Sequence, residues 1–331
     1  MAKAPVNLTP PRRLTVVMPV FNDWESAQIL ISHLESALHD LPLELDVVAV
    51  DDCSTVPAPD WLEIAGTVRQ VECVQLAGNV GHQRAIAIGL MHIAERDDLD
   101  LVAVMDSDGE DTPEELRSMT LQALEAPGLA FVAQRSKRSE SFAFKLFYRL
   151  YIGLFRMLTG HRINFGNFSV LPAANVRRII ASQHIWNNFP ATVLQSRLPV
   201  RYVPTKRGKR YAGESRMNFV GLVAHGLGAI SVFSDAVYIR ILIGSLGLFA
   251  LSLAIAGFAV WVRLFTDMAI PSWATTVLGF ALLVSIQAIM LPIMMAFLLL
   301  SNRATIQPLP RVIAMTMILH CRMLASAPKA G

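Results

Sequence analysis

Cysteine is scarce in this chain: Cys53, Cys73 and Cys321 are the only three among 331 residues. Their number is odd and their spacings are unrelated, so neither a disulfide framework nor a paired-cysteine zinc motif can be built from them. That usage suits a reducing compartment. Charge is also sparse, at 17% of residues with a net of +3. Nucleic acid is therefore not an expected partner, whereas an anionic membrane face or phosphate groups fit the clustered arginines. No repeat or low-complexity segment is present, and the opening MAKAPVNLTPPRR lacks the apolar core of a signal peptide.

Two stretches lack charge altogether, Ile241 to Val262 and Met268 to Asn302. A bilayer core needs roughly 20 apolar residues in a helix, so spans are expected at about 240–263 and 273–300, with a kink at Pro292. Ala250 and Ala254 have the small-xxx-small spacing of a close helix contact. The connection around Arg263 to Trp273 is short, so the pair reads as a transmembrane hairpin over 238–302. Lys206, Arg207, Lys209, Arg210, Arg216 and Arg240 precede it, and Arg303 and Arg311 follow. Positive-inside reasoning places the N-terminal domain and the tail, 303–331, in the cytoplasm. The apolar segment 216–237, rich in glycine and alanine, reads as an interfacial helix, with a third span as the alternative.

Before the hairpin, continuous apolar strands alternate with helices. Leu14 to Val20, Leu45 to Val50, Val68 to Leu76, Leu101 to Met105 and Gly128 to Ala133 read as strands. Trp24 to Leu38, Val80 to Glu95 and a segment opened by Thr112 and Pro113 read as helices. This pattern predicts a mainly parallel sheet covered on both faces, with ligands beyond the carboxyl ends of its strands. Those ends carry Pro19-Val20-Phe21-Asn22, Asp51-Asp52 and Asp106-Ser107-Asp108. The run D106-S-D-G-E-D111 is costly by mutual repulsion unless a cation joins it. It is not an EF-hand loop: the sixth position is Asp111 instead of glycine, and the twelfth is Arg117 instead of glutamate. A divalent cation with an anionic phosphate as its other partner is the expected occupant, and a nucleoside diphosphate would supply that phosphate. Asp52 could accept from a uracil imide or a sugar hydroxyl, and Phe21 could lie on the base.

Four segments, P19-V-F-N22, V50-D-D-C-S-T55, N79-V-G-H-Q83 and V104-M-D-S-D-G-E-D-T-P-E-E115, occur in the order and spacing of family 2 glycosyltransferases. R210-Y-A-G-E-S-R216 is similar to the Arg-x-x-Gly-x-Ser-Lys motif of its dolichol-phosphate-mannose-synthase-like branch, which works on polyprenyl phosphates. The resemblance covers about residues 12 to 300. It implies a GT-A fold, a Rossmann-like α/β domain over 1–215, and inverting transfer from a nucleotide sugar, UDP-linked in preference to GDP-linked. On that resemblance Pro19, Phe21, Asn22, Asp51, Asp52, Asn79, Gly81, His82 and Asp106 would bind the nucleotide sugar. Asp106, Asp108 and Glu110, which stands where the branch has glutamine, would hold Mg2+ or Mn2+. Asp108, Arg135, Arg210 and Ser215 would be catalytic, with Arg138 and Arg216 at the acceptor phosphate.

Two departures qualify the resemblance. Where the branch has an acidic Asp-x-Gly-Asp-Phe-Arg pattern, this chain has I163-N-F-G-N-F-S169, and Asn164 and Asn167 cannot be general bases. A hydroxyl acceptor needs such a base, whereas a phosphate monoester, with a second pKa near ~6, is already a nucleophile. Polyprenyl phosphate is therefore the expected acceptor, at the cytoplasmic face of a bacterial inner membrane. A hydroxyl acceptor, with Glu140 or Glu214 as base, and a non-catalytic membrane scaffold are the alternatives. The tail S301-N-R-A-T-I-Q-P-L-P-R311 also departs from the branch, which leaves the subfamily and any homo-oligomer open.

Overall fold

A computed structural model describes residues 12–64, 67–135, 142–212, 219–266, 272–304 and 310–326. It divides into two compact units, one made of residues 1–145, 163–232 and 308–331, the other of 146–162 and 233–307. In the first unit, β1 (Arg12–Val20), β2 (Leu43–Asp51), β3 (Val68–Leu76) and β4 (Leu101–Val104) run parallel. Their side chains alternate between two cores. Leu14, Val16 and Met18 pack with Leu30 and Leu34 of α1 (Trp24–Leu38) and with Leu116 and Met119 of α3 (Pro113–Glu125). Val17, Val48 and Val50 face Ile86 and Leu90 of α2 (His82–Ile93). Both faces are covered, and this is why these strands are apolar throughout.

The rest of the sheet is mixed. β5 (Ala130–Arg135), β6 (Ser169–Pro172) and β7 (Val200–Thr205) complete one side, with β6 antiparallel to both β4 and β5. The eight strands lie in the order β7-β5-β6-β4-β1-β2-β3-β8. Between β5 and β7 the chain forms α4 (Phe142–Thr159), α5 (Ala173–Ile180), a 3-10 turn at Gln183–Trp186 and α6 (Phe189–Gln195). The assignment of 303–331 to a separate tail needs correction. Residues 310–317 form a helix, α10 when counted in chain order, and β8 (Ile318–Ser326) pairs antiparallel with β3. The first unit therefore does not end near residue 215. An uncovered β3 would present a row of unpaired backbone groups, and β8 satisfies that edge.

One buried charge is tied into this side of the sheet. Asp46 of β2 is fully buried, accepting from Arg69 Nε at 2.8 Å and from Gln70 Nε2 at 3.1 Å, with Arg96 Nη1 at 3.8 Å.

After β7, α7 (Phe219–Ser231) belongs to the first unit and has 13 residues. That is about 20 Å of described helix against a hydrocarbon core of about 30 Å. The second unit contains α8 (Ser234–Phe265) and α9 (Trp273–Ala304), which pack against each other. Only 6% and 17% of their most apolar windows is buried, so they are not core helices of a soluble domain, and both are long and apolar enough to cross a membrane. Their contact differs from the expected one. Ala250 and Ala254 are exposed. The buried positions include Ser252, Ala259 and Val262 on α8 and Ala281, Ser285, Ala288 and Pro292 on α9. Ser252 Oγ donates to the Ala281 carbonyl at 2.6 Å, and Ser285 Oγ donates to Ser252 Oγ at 3.0 Å.

Asp46→Ala would leave Arg69 and Arg96 facing a buried site without their carboxylate. Because Arg69 is partly exposed, a loss of about 2 kcal/mol is expected, below the range for a fully buried pair. Denaturant unfolding of the detergent-solubilised chain measures it, and a change under about 0.5 kcal/mol would contradict the account.

Candidate active site

The carboxyl ends of β1, β2 and β4 come together as the alternating pattern requires. At the end of β1, Pro19 is buried and paired in register with Val50, and Phe21 follows at 40% exposure. Asn22 adopts φ 52°, a conformation that asparagine tolerates. Its Oδ1 accepts from Thr55 N at 2.7 Å and Val56 N at 3.0 Å, and its own N–H donates to Ser54 Oγ at 2.8 Å. Asp51 is buried and accepts from Ser54 N at 2.9 Å. Asn22 and Asp51 thus shape the loop after β2. Asp52 is buried too, and its two oxygens accept from Val80 N at 2.7 Å and Gly81 N at 2.9 Å. Burial raises its pKa against the opposing pull of those two N–H groups. Asp52 therefore holds the loop that carries Asn79 and Gly81 into α2, and each oxygen keeps a second acceptor position.

The acidic turn after β4 is held from within and from above. Asp106 N donates to Asp111 Oδ2 at 3.2 Å, and Glu110 N donates to Asp108 Oδ1 at 2.9 Å. Thr112 caps α3, accepting from Glu115 N at 3.4 Å, with Pro113 in the first turn. The basic segment after β7 then folds onto the turn. Gly208 N donates to the Glu110 carbonyl at 2.9 Å and Tyr211 N to the Asp108 carbonyl at 3.0 Å. The Arg207 guanidinium pairs with Glu110, and Arg210 Nη2 lies 2.5 Å from Asp108 Oδ2. Tyr211 lies over Gly109, where a Cβ would come within 2.4 Å of the ring and φ is +83°. Its hydroxyl is 2.9 Å from His33 Nδ1.

Burial raises the Asp108 pKa, the neighbouring Asp106 carboxylate adds to it, and Arg210 pulls it back. Hard carboxylate oxygens whose charges repel one another suit Mg2+ or Mn2+, so Asp106 and Asp108 fit a divalent cation. Glu110, expected as a third ligand, pairs through Oε2 with Arg207, as Asp108 pairs with Arg210.

A residue read in the sequence only for the carboxylate it lacks is central here. Phe189 N donates to Gln83 Oε1 at 2.7 Å, which leaves Gln83 Nε2 to donate to Asn167 Oδ1 at 2.9 Å. Asn167 Nδ2 therefore points at His82 Nε2, 2.8 Å away, and at Asp106 Oδ1, 3.4 Å away. The backbone N–H at the head of this chain fixes its direction, so His82 Nε2 accepts and the ring proton sits on Nδ1. Burial disfavours a second proton on His82, but Asp106, 3.2 Å from Nε2, outweighs burial and raises the pKa.

The sequence pattern of glycosyl transferase family 2 matches residues 15–180. The chain belongs to glycosyltransferase family 2. The matched stretch includes both loops at the first strand ends, the acidic turn and Asn167. Among solved structures, glucosyl-3-phosphoglycerate synthase from Mycobacterium tuberculosis, crystallised with Mn2+ and UDP-glucose, is similar at 14% identity. The match covers 68% of this chain and 79% of that one, with a TM-score of 0.45. Mannosyl-3-phosphoglycerate synthase from Rubrobacter xylanophilus is similar at 15% identity over 69% and 78% of the two chains, with a TM-score of 0.44.

Of the other residues expected in this family 2 site, Arg135 closes β5, and its side chain lies outside the described residues, as do Arg138, Ser215 and Arg216. The Asn167 contacts could not be read from spacing. The available signal was the pair of amides Asn164 and Asn167 where the resemblance led one to expect acids. Asn167→Leu removes two to three hydrogen bonds worth about 1 kcal/mol each, so kcat/KM should fall by roughly tenfold or more. Steady-state kinetics on the folded variant, taken well below its lowered Tm, would show it, and wild-type kinetics would refute the role.

Proposed function

We propose that this chain is a membrane-anchored, inverting glycosyltransferase that moves a sugar from a nucleotide-diphosphate sugar to a polyprenyl phosphate at the cytoplasmic face. The carrying observation is the arginine-bearing segment 206–211 folded onto Asp106–Asp111 at the end of β4. It puts carboxylates for a cation and guanidinium groups for phosphates at one strand edge. A divalent Mg2+ or Mn2+ on Asp106 and Asp108 would, when bound, neutralise the charge gathering on the departing diphosphate. Phe21, 40% exposed, is available for a base to stack on, and Asp52 has acceptor positions for a uracil imide or a sugar hydroxyl, which accommodates UDP. Pro19, Asn22 and Asp51 shape that loop, and Asn79, Gly81 and His82 line the other side of the donor. Arg210 stands on Asp108 beside the diphosphate position, with Arg135 and Ser215 assigned to the same group and Arg138 and Arg216 to the acceptor phosphate.

In the reaction, an acceptor phosphate oxygen attacks the anomeric carbon from the face opposite the diphosphate. The bond to the nucleoside diphosphate breaks, and the leaving oxygen keeps the electron pair. No proton has to be removed from a phosphate oxygen at neutral pH. An amide at Asn167, where a base would otherwise be required, supports this acceptor over a hydroxyl. Exposed α8 and α9 support anchoring as a hairpin, the flanking arginines support a cytoplasmic domain, and α7 would lie in the interface.

The test supplies membranes containing the chain with labelled UDP-sugars, Mn2+ and undecaprenyl phosphate. Organic-extractable label is expected, reduced about a hundredfold or more by Asp108→Asn. Label confined to a non-phosphate acceptor, or transfer undiminished in Asp108→Asn, would overturn the reading.

A further inference from the structure

The three scattered cysteines form no metal motif, yet the fold brings one of them to two other ligand-bearing side chains. Glu72 of β3, His92 in the last turn of α2 and Cys321 of β8 lie far apart in sequence. Their candidate ligand atoms all fall within 4.8 Å of one another. The register explains the meeting. Cys321 pairs with Val74, two residues from Glu72 and therefore on the same face of β3, and Val74 packs in the core that α2 covers. His92 Nε2 is 2.9 Å from Glu72 Oε1. The other Glu72 oxygen, Oε2, is held by Arg96, whose guanidinium also lies 3.8 Å from Asp46. This arrangement leaves Oε1 on the side of the histidine.

The Glu72–His92–Arg96 ion cluster accounts for two of the three groups, and the Cys321 thiol hydrogen-bonds Glu72. Cys321 is exposed at its edge, which gives a cation a path in and room for a water as fourth ligand. In a tetrahedral zinc site with bonds of 2.0–2.3 Å, neighbouring ligand atoms stand about 3.5 Å apart. His92 Nε2 and Glu72 Oε1 already stand 2.9 Å apart, and all three ligand atoms lie within 4.8 Å of one another. Thiolate, imidazole and carboxylate together select zinc over the hard cations suited to Asp106 and Asp108, and two anionic ligands balance its charge.

We propose that Glu72, His92 and Cys321 bind a zinc-class divalent cation that fastens the C-terminal strand β8 to β3 and α2. This site is separate in chemistry from the acidic turn and stands whatever the acceptor of the transferase. Bound metal would raise stability by mass action, and it would do so by joining the segment after α9 to a sheet whose other strands precede it.

Cobalt is the probe, because a thiolate ligand gives Co2+ a near-ultraviolet charge-transfer band that oxygen ligands do not. The full chain, solubilised in detergent and carrying Asp108→Asn to weaken the acidic turn as a competitor, is titrated with CoCl2. A band saturating at about one equivalent is expected, retained in Cys53→Ser and lost in Cys321→Ser. His92→Gln should weaken Co2+ binding about tenfold or more. If that variant fails to fold, alkylation of Cys321 in the otherwise unaltered chain replaces it, with ZnCl2 expected to slow the reaction at least tenfold. Absence of the band, its survival in Cys321→Ser, or alkylation indifferent to zinc would overturn the proposal.

Discussion

The acidic turn Asp106–Asp111 is the constraint around which the candidate active site is organised. Buried β4 delivers the turn to the edge of the sheet, where Asp108 is almost fully buried among like charges. Repulsion of that kind is tolerable only with compensating positive charge, and in the folded chain the segment after β7 supplies it through Arg207 and Arg210. Backbone hydrogen bonds from Gly208 and Tyr211 lock the segment in place, and Gly109 leaves the room that the Tyr211 ring fills. The same pairing sets the chemistry. Carboxylates that attract a divalent cation and guanidinium groups that attract phosphate are brought to one place by a single loop contact.

A second layer fixes the direction of the donor side. Asp52 holds the backbone of the loop that enters α2 with one acceptor position of each oxygen, and Asn22 holds the loop after β2. The chain from Phe189 through Gln83 and Asn167 then orients His82 against Asp106. These residues build the walls within which a nucleotide would lie. Their value to function is preorganisation, since a site displaced by about an ångström loses much of its rate.

Much of this was legible in the sequence, for a physical reason. Strands β1, β2 and β4 are buried on both faces, so they read as unbroken apolar runs ending in polar residues, and the strand ends mark the site. The two apolar helices declared themselves by length and lack of charge. The edge strands did not. β7 contains Arg201, Tyr202 and Pro204, all three exposed, and β8 contains the exposed His320 and Cys321 and the half-buried Arg322. Neither has the periodicity of a half-buried strand, and each is fixed by backbone pairing with a neighbour already in place. The contacts of Glu110 and Asn167 were hidden for a related reason. Their partners, Arg207 and Gln83, become neighbours only when the sheet has formed, so the resemblance alone offered Glu110 as a metal ligand and Asn167 as a missing base.

The central claim is that Asp106 and Asp108 hold a divalent cation together with a nucleoside diphosphate. Calorimetric titration of the detergent-solubilised chain with MnCl2, with and without UDP present, tests it most directly. The account predicts about one Mn2+ bound per chain, tighter in the presence of UDP, with both the binding and the UDP dependence lost in Asp108→Asn. Manganese binding of unchanged strength in Asp108→Asn, or binding that UDP does not alter, would contradict it.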